Sequence, residues 1–330
     1  MVNFLSFAQF FSSWYAIVVY LIVLLALIGL LIAFLMVGES KAPKIVQADG
    51  ELPQQTKTEP KRTNRRRFDG LCRIDEEKAR YAGGEFNGRI GLKEFCETFR
   101  DYAAGKLRLY YEIEDIRRFI AGMAVSHILI LQGMSGTGKT SLAFAFGEFL
   151  GNTSTVIPVQ PMWKERTDLI GYYNEFTKRF NETDLLKKIY EANYSEQIYI
   201  TVLDEMNIAR VEYYFAEFLS LLELPNAEER LLTVVSDEWK NDPKQLKDGH
   251  VRLPENMWFI GTANNDDSTF AISDKVYDRA MVLDLDKKAQ AFSAERPEGV
   301  KITAKRFKEL VKEAQEEYGT AAACGNWTIS

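Results

Sequence analysis

Residues 133–141 read GMSGTGKTS, and this segment constrains the fold more than any other part of the chain. It matches the pattern G-x-x-x-x-G-K-[ST], with a short apolar run (127–132) before it and an amphipathic stretch (141–150) after it. Glycines let the backbone curl so that successive N–H groups point at phosphate oxygens, and the following helix adds its positive dipole end. A chance glycine-rich turn would not explain a strand, loop and helix in this order. The segment predicts an α/β fold of the P-loop NTPase type, a three-layer α/β/α domain with a mainly parallel sheet.

This loop supplies the candidate nucleotide ligands. Lys139 is placed to reach the β and γ phosphates, and Thr140 is placed to hold Mg²⁺. Because such ligands read phosphates rather than the base, they leave ATP and GTP open as the nucleotide. The candidate set is Gly133, Ser135, Gly136, Thr137, Gly138, Lys139, Thr140 and Ser141.

Two further apolar runs end in polar side chains. IYITVL (198–203) is followed by Asp204 and Glu205. We predict that Asp204 is a Mg²⁺ ligand and that Glu205 orients and deprotonates the attacking water. A pair of acids at a helix N-terminus is the alternative, but it leaves the phosphate loop unexplained. The run MWFIGTAN (257–264) ends at Asn264, which we expect between the other two strand ends, within reach of the γ-phosphate or the water. A turn-forming asparagine is the alternative there.

The N-terminal part of the chain predicts a membrane anchor. Residues 14–37 carry no charge, and as a helix they span about 36 Å, against about 30 Å of hydrocarbon. Lys41 and Lys44 follow this stretch and no Lys or Arg precedes it, which favours a single-pass protein with its C-terminal part in the cytoplasm. A cleaved signal peptide and a buried soluble helix are the alternatives. They fit less well, because no basic residue starts the chain and the stretch is apolar on every face.

The rest of the chain divides into three parts. Residues 38–67 read as a polar linker that ends in a basic run (61–67), more commonly solvated than bound to lipid or nucleic acid. Residues 68–286 form the predicted nucleotide-binding domain with N-terminal helices, and 287–330 a partial helical lid or tail with one amphipathic helix (302–318). The formal net charge of −6 provides no global basic field for nucleic acid. The three cysteines and two histidines match no metal-site spacing.

Together, GMSGTGKTS, VLDEMN and GTANND resemble the Walker A, Walker B and sensor 1 motifs of the AAA+ ATPases. They look closest to the branch that holds the McrB motor, the MoxR chaperones and the dynein-related motors. WKERTDLIGYYNE (163–175) is similar to an element of that branch, and 228–255 resembles the hairpin it inserts before sensor 1. The resemblance covers about residues 110–286.

The resemblance implies a ring of subunits, usually a hexamer, in which an arginine of the next subunit completes each site. Arg279 matches the position of that arginine, although Ala280 follows it where the branch usually has phenylalanine. A surface salt bridge is the alternative for Arg279, and Arg210 is a second candidate for the interface.

Three functions are compatible with these features. The first is a membrane-anchored ATPase that uses ATP and Mg²⁺ to remodel an unknown protein partner. The second is a GTP- or ATP-driven nucleic-acid motor or defence-system subunit similar to McrB. The third is a nucleotide-gated scaffold without turnover, an option raised by the short C-terminal part.

Overall fold

The computed structural model describes residues 21, 24–28, 66–81, 84–264 and 269–322. Contacts divide the chain into two units, residues 1–60 and 61–330. In the first unit, Leu21 and residues 24–28 are helical and exposed to solvent. No helix among the described residues combines the length and the apolar character that crossing a membrane requires. The predicted span over 14–37 lies outside the described residues except at these six positions.

Helices and strands alternate through most of the second unit. The helices are α1 (Gly70–Glu77), α2 (Leu92–Leu107), α3 (Ile113–Val125), α4 (Lys139–Leu150), α5 (Thr167–Ile170), α6 (Asp184–Ala192), α7 (Val211–Tyr214), α8 (Ala216–Leu222), α9 (Asp274–Tyr277) and α10 (Ala304–Ala322). The strands are β1 (Ile128–Gly133), β2 (Thr155–Pro158), β3 (Gly171–Asn174), β4 (Arg179–Glu182), β5 (Tyr199–Asp204), β6 (Leu231–Thr233), β7 (Leu246–Lys247), β8 (His250–Arg252), β9 (Met257–Asn264) and β10 (Met281–Asp284).

Five of these strands form a parallel sheet in the order β10-β1-β9-β5-β2. The three central strands, β1, β9 and β5, are almost entirely buried, which is why their sequences are apolar on both faces. On β9, Trp258 packs into one apolar core and Phe259 into the other, so helices cover both faces of the sheet. The predicted α/β fold with a mainly parallel central sheet is confirmed.

Two antiparallel additions lie outside this sheet. Strands β3 and β4 form a hairpin, and β6, β8 and β7 form a small sheet in that order within the region 228–255. The small sheet corresponds to the hairpin expected there before the third strand of the site.

The linker is shorter at its C-terminal end than the sequence predicted. Arg67 was assigned to the linker, but the structure places it inside the folded unit, with its side chain only 2% exposed. Its guanidinium donates to the carboxylates of Asp237 and Asp242 and lies 4.5 Å from the ring centroid of Trp239. These partners stand about 170 positions later in the chain. The basic run therefore loses one of its charges to the fold.

The C-terminal part contains a helix where the sequence predicts one over 302–318. Residues 285–300 contain no helix or strand, and α10 is the one helix that follows β10 among the described residues. Phe307 of α10 is fully buried and its ring meets Trp258 of β9 edge-on, with ring centroids 5.8 Å apart. Helix α10 is thus part of the layer that covers the sheet.

Candidate nucleotide-binding site

The loop between β1 and α4 has the backbone geometry that its glycines allow. Gly136 has φ +77° and Gly138 has φ +95°. Both values lie in the left-handed region, which residues with a Cβ rarely adopt. Helix α4 begins immediately afterwards, at Lys139, so its free N–H groups face the loop. The hydroxyl of Tyr111 donates to the carbonyl oxygen of Gly138 at 3.0 Å and fastens the loop to the segment before α3. This conformation presents a helix N-terminus suited to binding an anion.

Lys139 is buried against the loop it follows. Its ammonium group donates to the carbonyl oxygens of Gly133 and Met134, at 3.0 and 2.7 Å. Ser135, Thr137 and Ser141 lie on the same loop and on the first turn of α4. The hydroxyl of Thr137 also donates to the carbonyl oxygen of Met134, at 3.0 Å. The positive charge of Lys139 is therefore held at the loop, where phosphate groups would bind.

The residues predicted to hold Mg²⁺ are in direct contact. The hydroxyl of Thr140, on the first turn of α4, donates to Oδ1 of Asp204 at 2.6 Å. Asp204 ends β5, and the two residues meet because the carboxyl ends of parallel strands share one edge of the sheet. A hydroxyl and a carboxylate are the hard oxygen ligands that Mg²⁺ prefers. The donor set fits a nucleotide-bound Mg²⁺, which Thr140 and Asp204 would hold.

Glu205 has an unusual backbone conformation. Its φ and ψ of 52° and 47° are left-handed, and its side chain is exposed at the edge of the sheet. A residue with a side chain seldom adopts this region unless the surrounding structure holds it there, and such residues cluster at functional sites. The N–H of Glu205 donates to Oγ1 of Thr262 on β9, at 2.9 Å.

Asn264 lies where the sequence placed it, between the other two strand ends. It pairs in register with Gly133, the last residue of β1, and β9 separates β1 from β5. Its carbonyl oxygen accepts hydrogen bonds from Asn207 Nδ2 at 2.9 Å and Thr269 Oγ1 at 3.1 Å. The bond from Asn207 ties the end of β9 to the segment after Glu205.

Comparison with protein families identifies the segment that carries this geometry. Residues 128–280 match the model of the AAA domain of the dynein-related subfamily. The match covers 153 of the 330 residues, so this segment is similar to an AAA domain of the dynein-related subfamily. Domains of this kind are nucleotide-hydrolysing and typically use Mg²⁺, and AAA+ proteins commonly form oligomeric rings.

Comparisons of the whole chain with solved structures and with curated proteins give weak similarity or none. One similar solved structure is that of a candidate ATPase from Cytophaga hutchinsonii, with 17% sequence identity and a TM-score of 0.42. The similarity covers 73% of this chain and 66% of the Cytophaga protein. A search of curated proteins gives no match.

Arg279 lies away from the phosphate loop of its own chain. Its carbonyl oxygen accepts a hydrogen bond from Ser126, just before β1, whereas the phosphate loop follows the other end of that strand. The two points are about 20 Å apart along β1, at 3.3 Å per residue. The guanidinium is held locally: Nε lies 2.6 Å from Glu223 Oε1, and an Nη1 hydrogen goes to the carbonyl oxygen of Lys275. The structure therefore does not bring Arg279 to the site of the same chain.

The sequence analysis missed two residues that touch this site. Thr262 is buried on β9 and hydrogen-bonds to both acids, and Lys288 has its ammonium group beside Gly136, 3.9 Å from the position a Cβ would take there. Thr262 stands within GTANND, so its place in that motif was the available signal. Lys288 follows β10 in an irregular segment, and no local pattern marks it.

Proposed function

We propose that this chain hydrolyses ATP with Mg²⁺ at the carboxyl edge of its parallel sheet, and that Arg279 of a neighbouring copy completes each site. The observation that carries the proposal is the 2.6 Å hydrogen bond between Thr140 and Asp204. It joins two oxygen ligands suited to Mg²⁺ at the start of the helix that follows the phosphate loop. ATP is favoured over GTP because the matched domain family is one of ATPases.

The residues of the site have different tasks in this proposal. The backbone of the phosphate loop and the ammonium group of Lys139 bind the phosphates. When bound, Mg²⁺ neutralises charge on the β and γ phosphates. Glu205 orients the attacking water and accepts its proton, which its exposed position at the sheet edge permits. Asn264, beside Gly133, contributes an amide that can hydrogen-bond to the γ-phosphate or the water.

The place of Arg279 favours an assembly of several copies. A guanidinium keeps its charge at any physiological pH and stabilises charge on a phosphate during transfer. Because Arg279 lies about 20 Å along β1 from the loop of its own chain, it can act only on the site of another copy. A head-to-tail contact of this kind repeats around a ring. We propose a ring, with a hexamer as the expected size.

An experiment with mixed subunits tests hydrolysis and the shared site together. The full chain would be prepared as Glu205→Gln and as Arg279→Ala, and each would be assayed for ATP hydrolysis alone and in a 1:1 mixture. Each variant alone should be inactive. In the mixture, an Arg279→Ala subunit keeps Glu205 and can receive Arg279 from a Glu205→Gln neighbour. Random mixing in a head-to-tail ring then restores roughly a quarter of wild-type activity.

A matched control separates complementation from mere stabilisation of the ring. Arg279→Ala would be mixed with the double variant Glu205→Gln/Arg279→Ala, which can join the ring but supplies no arginine. That mixture should stay inactive. If the first mixture gives only the sum of the separate activities, the proposal that two copies share each site is wrong. If the wild type itself hydrolyses neither ATP nor GTP, the enzymatic proposal is wrong.

We also propose that residues 14–37 anchor the ring to a membrane, where it acts on a protein partner. The support is the uncharged length of this stretch. The double variant Leu25→Lys/Ile28→Lys places two charges within the span, each costing about 2.5–3.5 kcal/mol at its centre. It should move the protein from the carbonate-resistant membrane fraction to the soluble fraction. The control Gln47→Lys/Gln54→Lys adds the same charges outside the span and should stay with the membrane. Equal partitioning of the two variants would contradict the anchor.

The two other functions have less support. The nucleic-acid motor depends on the basic run, of whose two described members Arg67 is buried with Asp242 and Arg66 forms an exposed ion pair with Glu76. The scaffold without turnover would have no use for Glu205 in its left-handed conformation.

A further inference from the structure

A buried hydroxyl connects the two acids of the site. Thr262 lies on β9, between the strands that carry the phosphate loop and the acids, and it is 2% exposed. Its Oγ1 donates to Oδ1 of Asp204 at 2.9 Å and accepts from the N–H of Glu205 at 2.9 Å. The same Oδ1 accepts from Thr140 at 2.6 Å. One hydroxyl therefore touches both the residue suited to hold the metal ion and the residue suited to orient the water.

The hydrogen-bonding capacity of the hydroxyl fixes this arrangement. A threonine hydroxyl has one proton to donate, and here Asp204 takes it, which leaves the lone pairs for the N–H of Glu205. Both bonds lie just beyond the last pair of the β5–β9 ladder, Leu203 with Gly261. The hydroxyl thus continues the connection between the two strands at the point where backbone pairing ends.

Each of the two bonds has a consequence for the site. The bond to Asp204 directs one carboxylate oxygen towards Thr140, which is the geometry two ligands of one metal ion need. The bond from the N–H of Glu205 supports a backbone conformation that is uncommon for a residue with a side chain. Without the hydroxyl, Asp204 could turn from Thr140, and Glu205 could relax to a more common backbone conformation.

We propose that Thr262 is a positioning residue that couples the metal-holding and water-orienting acids, so that both are placed by one side chain. The inference rests on the proposed ATPase function and adds a residue to that site. Thr262 touches neither the nucleotide nor the water in this role. It acts through Asp204 and Glu205.

The neighbouring strand offers a matched control. Thr201 lies on β5, is 1% exposed, and has a hydroxyl with no hydrogen-bond partner among the described residues. Thr201→Val and Thr262→Val make the same chemical change in the same buried sheet. Only the second removes hydrogen bonds, so the pair separates the effect of the hydroxyl from the effect of the substitution.

The test measures four quantities on the full chain: turnover, the Mg²⁺ concentration for half-maximal rate, nucleotide affinity in EDTA, and Tm. Hydrogen bonds to charged groups contribute enough to predict a loss of at least about tenfold in turnover for Thr262→Val. The Mg²⁺ requirement should rise by about tenfold for the same reason. Affinity in EDTA should change less than about twofold, because the phosphate loop is untouched. Thr201→Val should match the wild type in all four.

Conservative variants keep the test decisive if Thr262→Val does not fold. Thr262→Ser keeps the hydroxyl and should recover most of the turnover, whereas Thr262→Ala should not. The proposal is overturned if the hydroxyl-free variants keep the wild-type turnover and Mg²⁺ requirement. It is also overturned if serine behaves as alanine does, or if Thr201→Val causes the same losses.

Failure of the ATPase proposal can be recognised separately. If the wild type binds nucleotide but does not hydrolyse it, the proposed function fails. The positioning role is then still measured by how much Mg²⁺ tightens nucleotide binding in each variant. Thr262→Val should lose that tightening and Thr262→Ser should keep it. Equal tightening in both would refute the positioning role.

Discussion

Replacing Arg67 with alanine should destabilise the folded unit far more than the same change at its neighbour, Arg66. The guanidinium of Arg67 donates to both carboxylate oxygens of Asp242, at 2.9 and 2.6 Å, and to one of Asp237 at 2.7 Å. The side chains of Arg67 and Asp242 are 2% and 3% exposed. By contrast, Arg66 and its partner Glu76 are 59% and 60% exposed.

These exposures set the expected magnitudes. Removing one partner of a buried ion pair costs about 3–5 kcal/mol, because the other charge is left buried without its partner. The lower end applies here, since Asp242 keeps a hydrogen bond from the N–H of Trp239 and Asp237 is still partly solvated. We therefore expect Arg67→Ala to lower the free energy of unfolding by about 3 kcal/mol. An exposed pair such as that of Arg66 contributes about 0–1 kcal/mol.

Thermal unfolding of the full chain distinguishes these values. For a domain of this size, a loss of 3 kcal/mol lowers Tm by about 6–12 °C, and the change at Arg66 should lower it by at most about 4 °C. Arg67→Lys keeps the charge but cannot bind Asp242 through two parallel hydrogen bonds, so it should recover less than half of the loss. Equal Tm values for the two alanine variants would refute the assignment of Arg67 to the folded core.

Three shorter predictions concern other parts of the domain. Burial lowers the pKa of His127 to about 4, although a contact with the carbonyl oxygen of Glu255 opposes the shift. Because the unfolded chain then takes up a proton at higher pH than the folded chain, stability should fall as the pH drops below about 6.5. When the pH falls from 7 to 5, the free energy of unfolding measured with denaturant should drop by about 2 kcal/mol more in the wild type than in His127→Phe. Equal drops would exclude His127 as the cause. Gly261→Ala puts a Cβ 1.9 Å from Met206 Sδ and should lower the free energy of unfolding by about 1–3 kcal/mol. Adding Met206→Ala should recover part of that loss. An unchanged denaturation midpoint for Gly261→Ala would contradict the packing. Lys139→Ala should abolish binding of a fluorescent ATP analogue with Tm kept within a few degrees, and retained binding would contradict its role.

The local parts of the site could be predicted from the sequence because they depend on short patterns. GMSGTGKTS specifies a strand, a loop and a helix, and an apolar run before Asp204 specifies a strand end. Parallel strands in an α/β sheet end at one edge, so the contact between Thr140 and Asp204 follows from those patterns.

Features that depend on distant partners could not be predicted. Arg67 looked like part of a basic linker because Asp237 and Asp242, which bury its charge, stand about 170 positions away. The pairing of Arg279 with Glu223 joins two segments in the same way. Thr262 is one polar residue in an apolar strand, and its role becomes visible only when the register of β5 and β9 is known.

The claim that this site hydrolyses nucleotide is tested most directly by comparing the wild-type chain with Glu205→Gln. Turnover of ATP and of GTP, and binding of each nucleotide with Mg²⁺, would be measured at equal protein concentration. We predict that the variant binds ATP as the wild type does but turns it over at least about a hundredfold more slowly, because glutamine cannot accept the proton of the water. Equal turnover by the two proteins, or binding without turnover by both, would contradict the account.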